Sequence, residues 1–124
     1  MKHLAILLCL ALLGGAALAQ GQGDAAQRGQ GVFAEHCAQC HRTGGEGLPA
    51  TFPALNKNPF VLGDPQPVIA TVLNGRKGSL GQMPSWKDKL DDGQVASVVT
   101  YIRQAWSNRA AAVTAAMVAA ARGK

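Results

Sequence analysis

The sequence has 124 residues, 12 Lys and Arg against 7 Asp and Glu, and an apolar share of 48%. That length is one domain, and a charged fraction of only 15% excludes a long polyelectrolyte tail, while the ordinary apolar share excludes wholesale disorder. The 15 Gly and 6 Pro follow no triplet period, which excludes a fibrous chain; a net charge of +5 with no Lys/Arg run longer than two and 5% aromatics is a poor match to nucleic-acid binding.

Lys2 precedes an unbroken apolar run from Leu4 to Leu13, Gly14-Gly15 breaks it, and Ala17-Leu18-Ala19 has the small-x-small form of a cleavage site. This is the layout of an export signal, so residues 1–19 are expected to be a cleaved signal peptide and 20–124 the working domain, destined for the periplasm. The competing reading is a transmembrane anchor, but a span needs roughly 20 apolar residues, more than Leu4 to Ala19 supplies, and no stable membrane insertion is expected after cleavage. Cys9 falls within the discarded run, and its Leu neighbours do not suit a lipoprotein box. Cys37 and Cys40 then remain.

Gln20–Gly23 reads as a flexible leader, and Asp24 as the cap of a first helix reaching about Cys40. Gly29 and Gly31 weaken that helix, which points to a close backbone approach there. The stretch 43–63 is rich in Gly, Pro and Asn, with Phe52, Leu55, Phe60 and Leu62 as scattered apolar anchors; a loop of that length is expected to wrap something. Asp64-Pro65 opens a second helix with the stripe Val68, Ile69, Val72 and Leu73, closed by Asn74-Gly75. Leu90-Asp91-Asp92 opens the strongest helix, whose face is Val95, Val98, Val99, Ile102 and Trp106. An Ala-rich helix over 109–121, with Val113 and Met117 four apart, completes the prediction as a C-terminal extension over 109–124. No stretch alternates strongly enough to predict a strand. The expected class is all-α: three to five short helices and Gly/Pro loops.

Cys37-Ala38-Gln39-Cys40-His41 is C-x-x-C-H, the attachment signature of c-type haem. Two cysteines three apart on a helical turn point the same way, so both thiols reach neighbouring vinyl groups on one porphyrin edge. His41 follows at once and is delivered to the iron as proximal ligand. A zinc site would want a second Cys or His pair, a thioredoxin-like redox pair a βαβ setting, and a plain disulfide only an oxidising compartment. The first two contexts are missing here, and haem is the reading that the export signal and the helical, loop-rich pattern favour over the third. For the other axial position the candidates are Met83, Met117 and His36. Pro84 pushes Met83 out of helical conformation, and Gly78 and Gly81 let the chain fold over a flat ligand, which favours Met83. Met117 is explained by packing on the Ala-rich helix. His36, next to Cys37, is tied to the proximal side and expected to face solvent.

These residues resemble the class I c-type cytochromes, bacterial and monohaem, over nearly all of the chain past residue 19. The resemblance implies a haem c bound by Cys37 and Cys40, with His41 and Met83 as the iron ligands. In the family a Pro-x-Leu element follows the proximal His. Pro53-Ala54-Leu55 matches it, implying that the Pro53 carbonyl accepts from the imidazole and that Leu55 packs on the haem. The family also crosses its first and last helices through a Gly and an aromatic pair, matched by Gly29, Phe33 and Tyr101. The segments Met83-Pro84-Ser85-Trp86 and Tyr101–Asn108 are similar to cytochrome subunits of periplasmic dehydrogenases and terminal oxidases, which adds Trp86 to the residues expected around the cofactor.

What the family implies is a periplasmic one-electron carrier, not an enzyme, passing electrons between a dehydrogenase or respiratory complex and a terminal acceptor. A haem enzyme such as a peroxidase, or a gas or redox sensor, would need a vacant or labile axial position. Lys57, Arg76, Lys77, Lys87 and Lys89 are expected to border the haem, either as a basic rim that steers an acidic redox partner or as an ordinary solvated surface.

Overall fold

The computed structural model describes residues 14–78 and 81–124, with side chains from Gly23 onward. The apolar run Leu4–Leu13 of the expected signal peptide lies outside the described residues. The order of elements is α1 (Gly14–His36), α2 (Ala38–His41), α3 (Pro59–Leu62), α4 (Pro65–Asn74), β1 (Arg76–Lys77), β2 (Gln82–Met83), α5 (Asp92–Gln104) and α6 (Ala115–Arg122). The described residues are mainly helical, as expected, with a small antiparallel ladder that pairs Arg76 with Met83 and Lys77 with Gln82. That ladder was not expected, because two-residue strands are too short to show an alternating pattern.

Helix α1 starts ten residues earlier than Asp24 and takes in the expected leader. Ala16 to Ala19 are strong helix formers, so the helix runs straight through Asp24 instead of starting there. It ends at His36; Cys37 bends the chain, and α2 forms the short turn Ala38–His41. Helix α4 carries its predicted cap, and α5 opens at Leu90-Asp91-Asp92 as expected, with a cap that was not predicted. Asp64 accepts from the Gln66 amide at 2.9 Å ahead of Pro65 at the first helical position. Asp91 and Gln94 form a reciprocal capping box at 2.8 and 3.0 Å.

The core lies where α1, α4, α5 and α6 meet. Phe33, Val68, Ile69, Leu73, Val95, Val98, Val99, Ile102 and Val118 are all buried there. Helices α1 and α5 cross at Gly29, where a methyl group would overlap the Ser97 carbonyl and come within 2.8 Å of Tyr101 Cβ. Gly31, by contrast, has open space around it, so only one of the two helix glycines serves a close approach. Beside the crossing, the rings of Phe33, Tyr101 and Trp106 form a mutual cluster with centroids 5.4–5.7 Å apart. Trp106 lies beyond the end of α5, in left-handed conformation (φ 56°), and not on the helix face expected for it.

The last helix is shorter than the expected 109–121, because side chains of α5 hold the backbone ahead of it. Thr100 exchanges hydrogen bonds with Val113, its hydroxyl accepting from the amide at 2.9 Å and donating to the carbonyl at 3.2 Å. Arg103 Nε donates to the Ala111 carbonyl at 2.9 Å. These contacts take up the groups a helix would need, so α6 begins only after Thr114, whose side chain accepts from the Met117 amide. The rest of Arg103 is buried too, donating to the Val61 and Gly63 carbonyls at 2.7 and 2.8 Å.

Candidate functional site

Between the end of α1, the loop 43–63, α4 and the β2 segment lies a cavity of about 710 Å³, lined mainly by apolar atoms. Cys37, Cys40, His41, Pro53, Leu55, Met83 and Trp86, the seven residues singled out from the sequence, all line it. A volume in the range of cofactor sites and a predominantly apolar wall suit a flat hydrophobic ligand.

The Cys37–His41 turn is helical, as its spacing predicts: the His41 amide donates to the Cys37 carbonyl at 3.0 Å. Both cysteines are free thiols and half-buried. Burial, with Cys40 adding to it, pushes the Cys37 thiol up to about 11. Reactive cysteine pairs and metal thiolates need the opposite shift, so this environment disfavours a redox dithiol or a zinc site. Among the described residues no three His, Cys, Asp or Glu side chains gather into a metal-binding group. A ligand that takes both sulfurs in neutral thioether bonds is at ease there.

His41 is buried and its Nδ1 lies 3.0 Å from the Pro53 carbonyl oxygen. A carbonyl can only accept, so Nδ1 carries the proton and Nε2 is left with a free lone pair. Pro53 is brought to this place by the turn before it: Gly47, at φ 63°, donates its amide to the His41 carbonyl at 2.9 Å and lies under the Pro53 carbonyl, where a Cβ would sit 2.6 Å from that oxygen. Leu55 is partly buried against the core, its amide donating to Gly45 at 2.7 Å.

Met83 sits in β2 opposite Arg76, extended as Pro84 requires, and partly buried. The chain after it is fastened to the end of α4. Ser85 Oγ donates to the Leu73 carbonyl at 2.6 Å, and the amides of Trp86 and Lys87 donate to Val72 and Leu73 at 3.1 Å. Met117, the alternative ligand, packs on the core from α6 and does not line the cavity. His36 departs from expectation. It is half-buried, lines the cavity, and packs its ring at a tilt against Trp86 with centroids 5.1 Å apart, because three residues after Phe33 it shares that residue's helix face.

Of the five basic residues expected around the site, only Arg76 and Lys77 line the cavity. The Arg76 guanidinium lies 5.3 Å from the centre of the exposed Phe60 ring, at the cavity wall. Lys89 stands over Trp86 at 5.4 Å, while Lys87 and Lys89 share their surface with Asp88, Asp91, Asp92 and Arg122.

Sequence reasoning did not single out Asn108. It is fully buried and joins the end of α5 to the Pro53 loop by three hydrogen bonds of 2.7–3.0 Å. Its removal would leave three groups unpaired, at about 1–3 kcal/mol each where they stay dry. Nothing in its neighbourhood in the sequence signals that role.

A helical fold with C-x-x-C-H at one wall of an apolar cavity, and the histidine tied to a Pro carbonyl, defines a c-type cytochrome. Residues 24–102 match the family described as cytochrome c oxidase, cbb3-type, subunit III, and the chain belongs to that family of haem-bearing electron-transfer domains. It is 40% identical over 111 residues to the gluconate 2-dehydrogenase cytochrome c subunit of Pantoea cypripedii, covering 82% of this chain and 25% of that protein. It is 35% identical over 98 residues to the cytochrome c subunit of the quinone alcohol dehydrogenase of Gluconobacter oxydans (strain 621H), covering 73% and 20%. With cytochrome c-552 of Thermus thermophilus it shares 32% identity over 114 residues, covering 82% of this chain and 72% of that one. The chain thus spans about a quarter of the length of the dehydrogenase subunits and most of the small cytochrome.

Proposed function

We propose that this chain binds one haem c through Cys37 and Cys40, holds its iron with His41 and Met83, and carries single electrons in the periplasm between a dehydrogenase or respiratory complex and a further acceptor. The observation that carries this reading is the convergence of Cys37, Cys40, His41 and Met83 on one apolar cavity, with His41 Nδ1 bound back to Pro53. The bound haem would supply a one-electron couple between ferrous and ferric iron, raised in potential by a thioether ligand.

The chain's own residues do the rest. The Pro53 carbonyl holds the imidazole in one tautomer and one orientation. Leu55, Val68 and Val72 exclude water and keep the surroundings apolar. The hairpin brings Met83 to the cavity wall, where its sulfur would hold the iron together with His41 and leave it closed to a substrate or gas. Arg76, Lys77 and Phe60 give the cavity mouth a basic, partly apolar surface suited to brief contact with a redox protein. Export by the Leu4–Ala19 segment brings the thiols to the compartment where such partners work. Among the described residues no helix is long and apolar enough to cross a membrane.

The test is twofold. Acid-acetone extraction should leave the haem mass on the chain. Met83→Ala should keep the haem attached, lower the midpoint potential and admit carbon monoxide, which the unaltered reduced protein excludes. Carbon monoxide binding by the unaltered protein would instead favour the sensor or peroxidase class, and a spectral change confined to Met117→Ala would identify the other methionine as ligand.

A further inference from the structure

The segment that follows α5 runs across the Pro53 loop and is bonded to it residue by residue. Trp106 Nε1 donates to the Thr43 carbonyl at 3.0 Å and the Ser107 amide to Asn56 Oδ1 at 3.2 Å. Asn108 is at the centre. Its Nδ2 donates to Ile102, a carbonyl the helix end leaves without a partner, at 2.7 Å and to Leu55 at 3.0 Å. Its Oδ1 accepts from the Lys57 amide at 2.8 Å. From the other side, the Leu55 and Asn56 amides donate to Gly45. The backbone two residues beyond Pro53 is therefore held on both sides.

We propose that Asn108 is a positioning residue for the proximal ligand: through Leu55 and Lys57 it sets where the Pro53 carbonyl stands relative to His41 Nδ1, and so how much electron density the imidazole offers the iron. This rests on the haem-carrier reading above. A firm bond from Nδ1–H makes the imidazole more basic and favours ferric iron. Releasing the carbonyl weakens that bond and shifts the balance toward the ferrous state.

The experiment compares haem-loaded wild type, Asn108→Ala and a packing control, Val118→Ala, whose side chain is buried in α6 away from the cavity. The midpoint potential and the exchange rate of the His41 Nδ1 proton in the reduced protein, followed by NMR, are read for each. Asn108→Ala should raise the potential and speed the exchange by about tenfold or more, whereas Val118→Ala should lower the melting temperature and move neither. If Asn108→Ala does not load haem, Asn108→Ser, which keeps a small polar group in place, should show the same two shifts in smaller measure. Variants that melt earlier but keep wild-type potential and exchange overturn the positioning role and leave the carrier function standing. A wild-type chain without covalent haem overturns both, and that shows in its spectrum before any variant is compared.

Discussion

His41 and Met83 line the same cavity but come from segments of unlike construction. His41 belongs to a helical turn beside two cysteines; its ring is tied to Pro53, its carbonyl to Gly47, and the loop around it to Gly45 on one side and Asn108 on the other. Met83 sits 42 positions further along the chain, in a two-residue ladder, and the chain after it is fastened to the last turn of α4. His41 is placed locally and then locked, whereas Met83 is brought from afar by a short hairpin. If the two hold the iron as proposed, the histidine side sets the electronic tuning and the methionine side is where the site first gives way.

The largest expected effect falls on the frame under the histidine side. Gly29→Val drives a branched side chain into the Ser97 carbonyl at the crossing of α1 and α5, the pair that carries the Cys37 turn and the Asn108 strap. It should cost about 3 kcal/mol or more, and a melting temperature within a degree or two of wild type would dismiss the crossing as a support. Next, Gly47→Ala separates the sides. It puts a methyl against the Pro53 carbonyl at a position with φ 63°, so it should cost about 2 kcal/mol in left-handed strain and overlap and raise the potential while methionine stays bound. A fall in potential, or loss of the methionine absorption band, would place the weakness on the wrong side.

Ser85→Ala should be milder, about 1 kcal/mol for one lost hydrogen bond. Its mark is distal: added imidazole should displace the methionine sulfur more readily, with the proximal ring proton unaffected. The smallest effect is a change with pH. Burial raises the Tyr101 phenol above its ordinary value. A group raised on folding contributes stability that is whole below its unfolded value and is lost as pH climbs through the folded one. Thermal stability should therefore decline in the alkaline range above about pH 10, and Tyr101→Phe should flatten that part of the profile. An unchanged profile in the variant would assign the alkaline loss to another group.

The parts of the molecule legible in the sequence are those whose cause is local. Cys37, Cys40 and His41 stand out by spacing, Asp64 by capping chemistry, and the extended backbone at Met83 by the proline behind it. What escaped depends on side chains from one element capturing the backbone of another. Thr100 and Arg103 keep 110–113 out of helix, Asn108 reaches back to Leu55 and Lys57, and no periodicity encodes either. His36 was misjudged for a related reason: adjacency to Cys37 says nothing of the helix face it shares with Phe33, and that face brings it to Trp86.

The burial of Cys37 bears on the order in which the protein is made. With its thiol pushed up to about 11, only about one folded molecule in ten thousand would carry the thiolate at neutral pH. In the unfolded chain, near the ordinary value of 9.0, the fraction is about a hundredfold larger. A folded chain would therefore be a poor nucleophile at this position, while a still extended one would be a competent one. On the haem-carrier proposal, carbon–sulfur bond formation is favoured first and folding second, and the attached ring would serve as the template around which α1, α4 and α5 close.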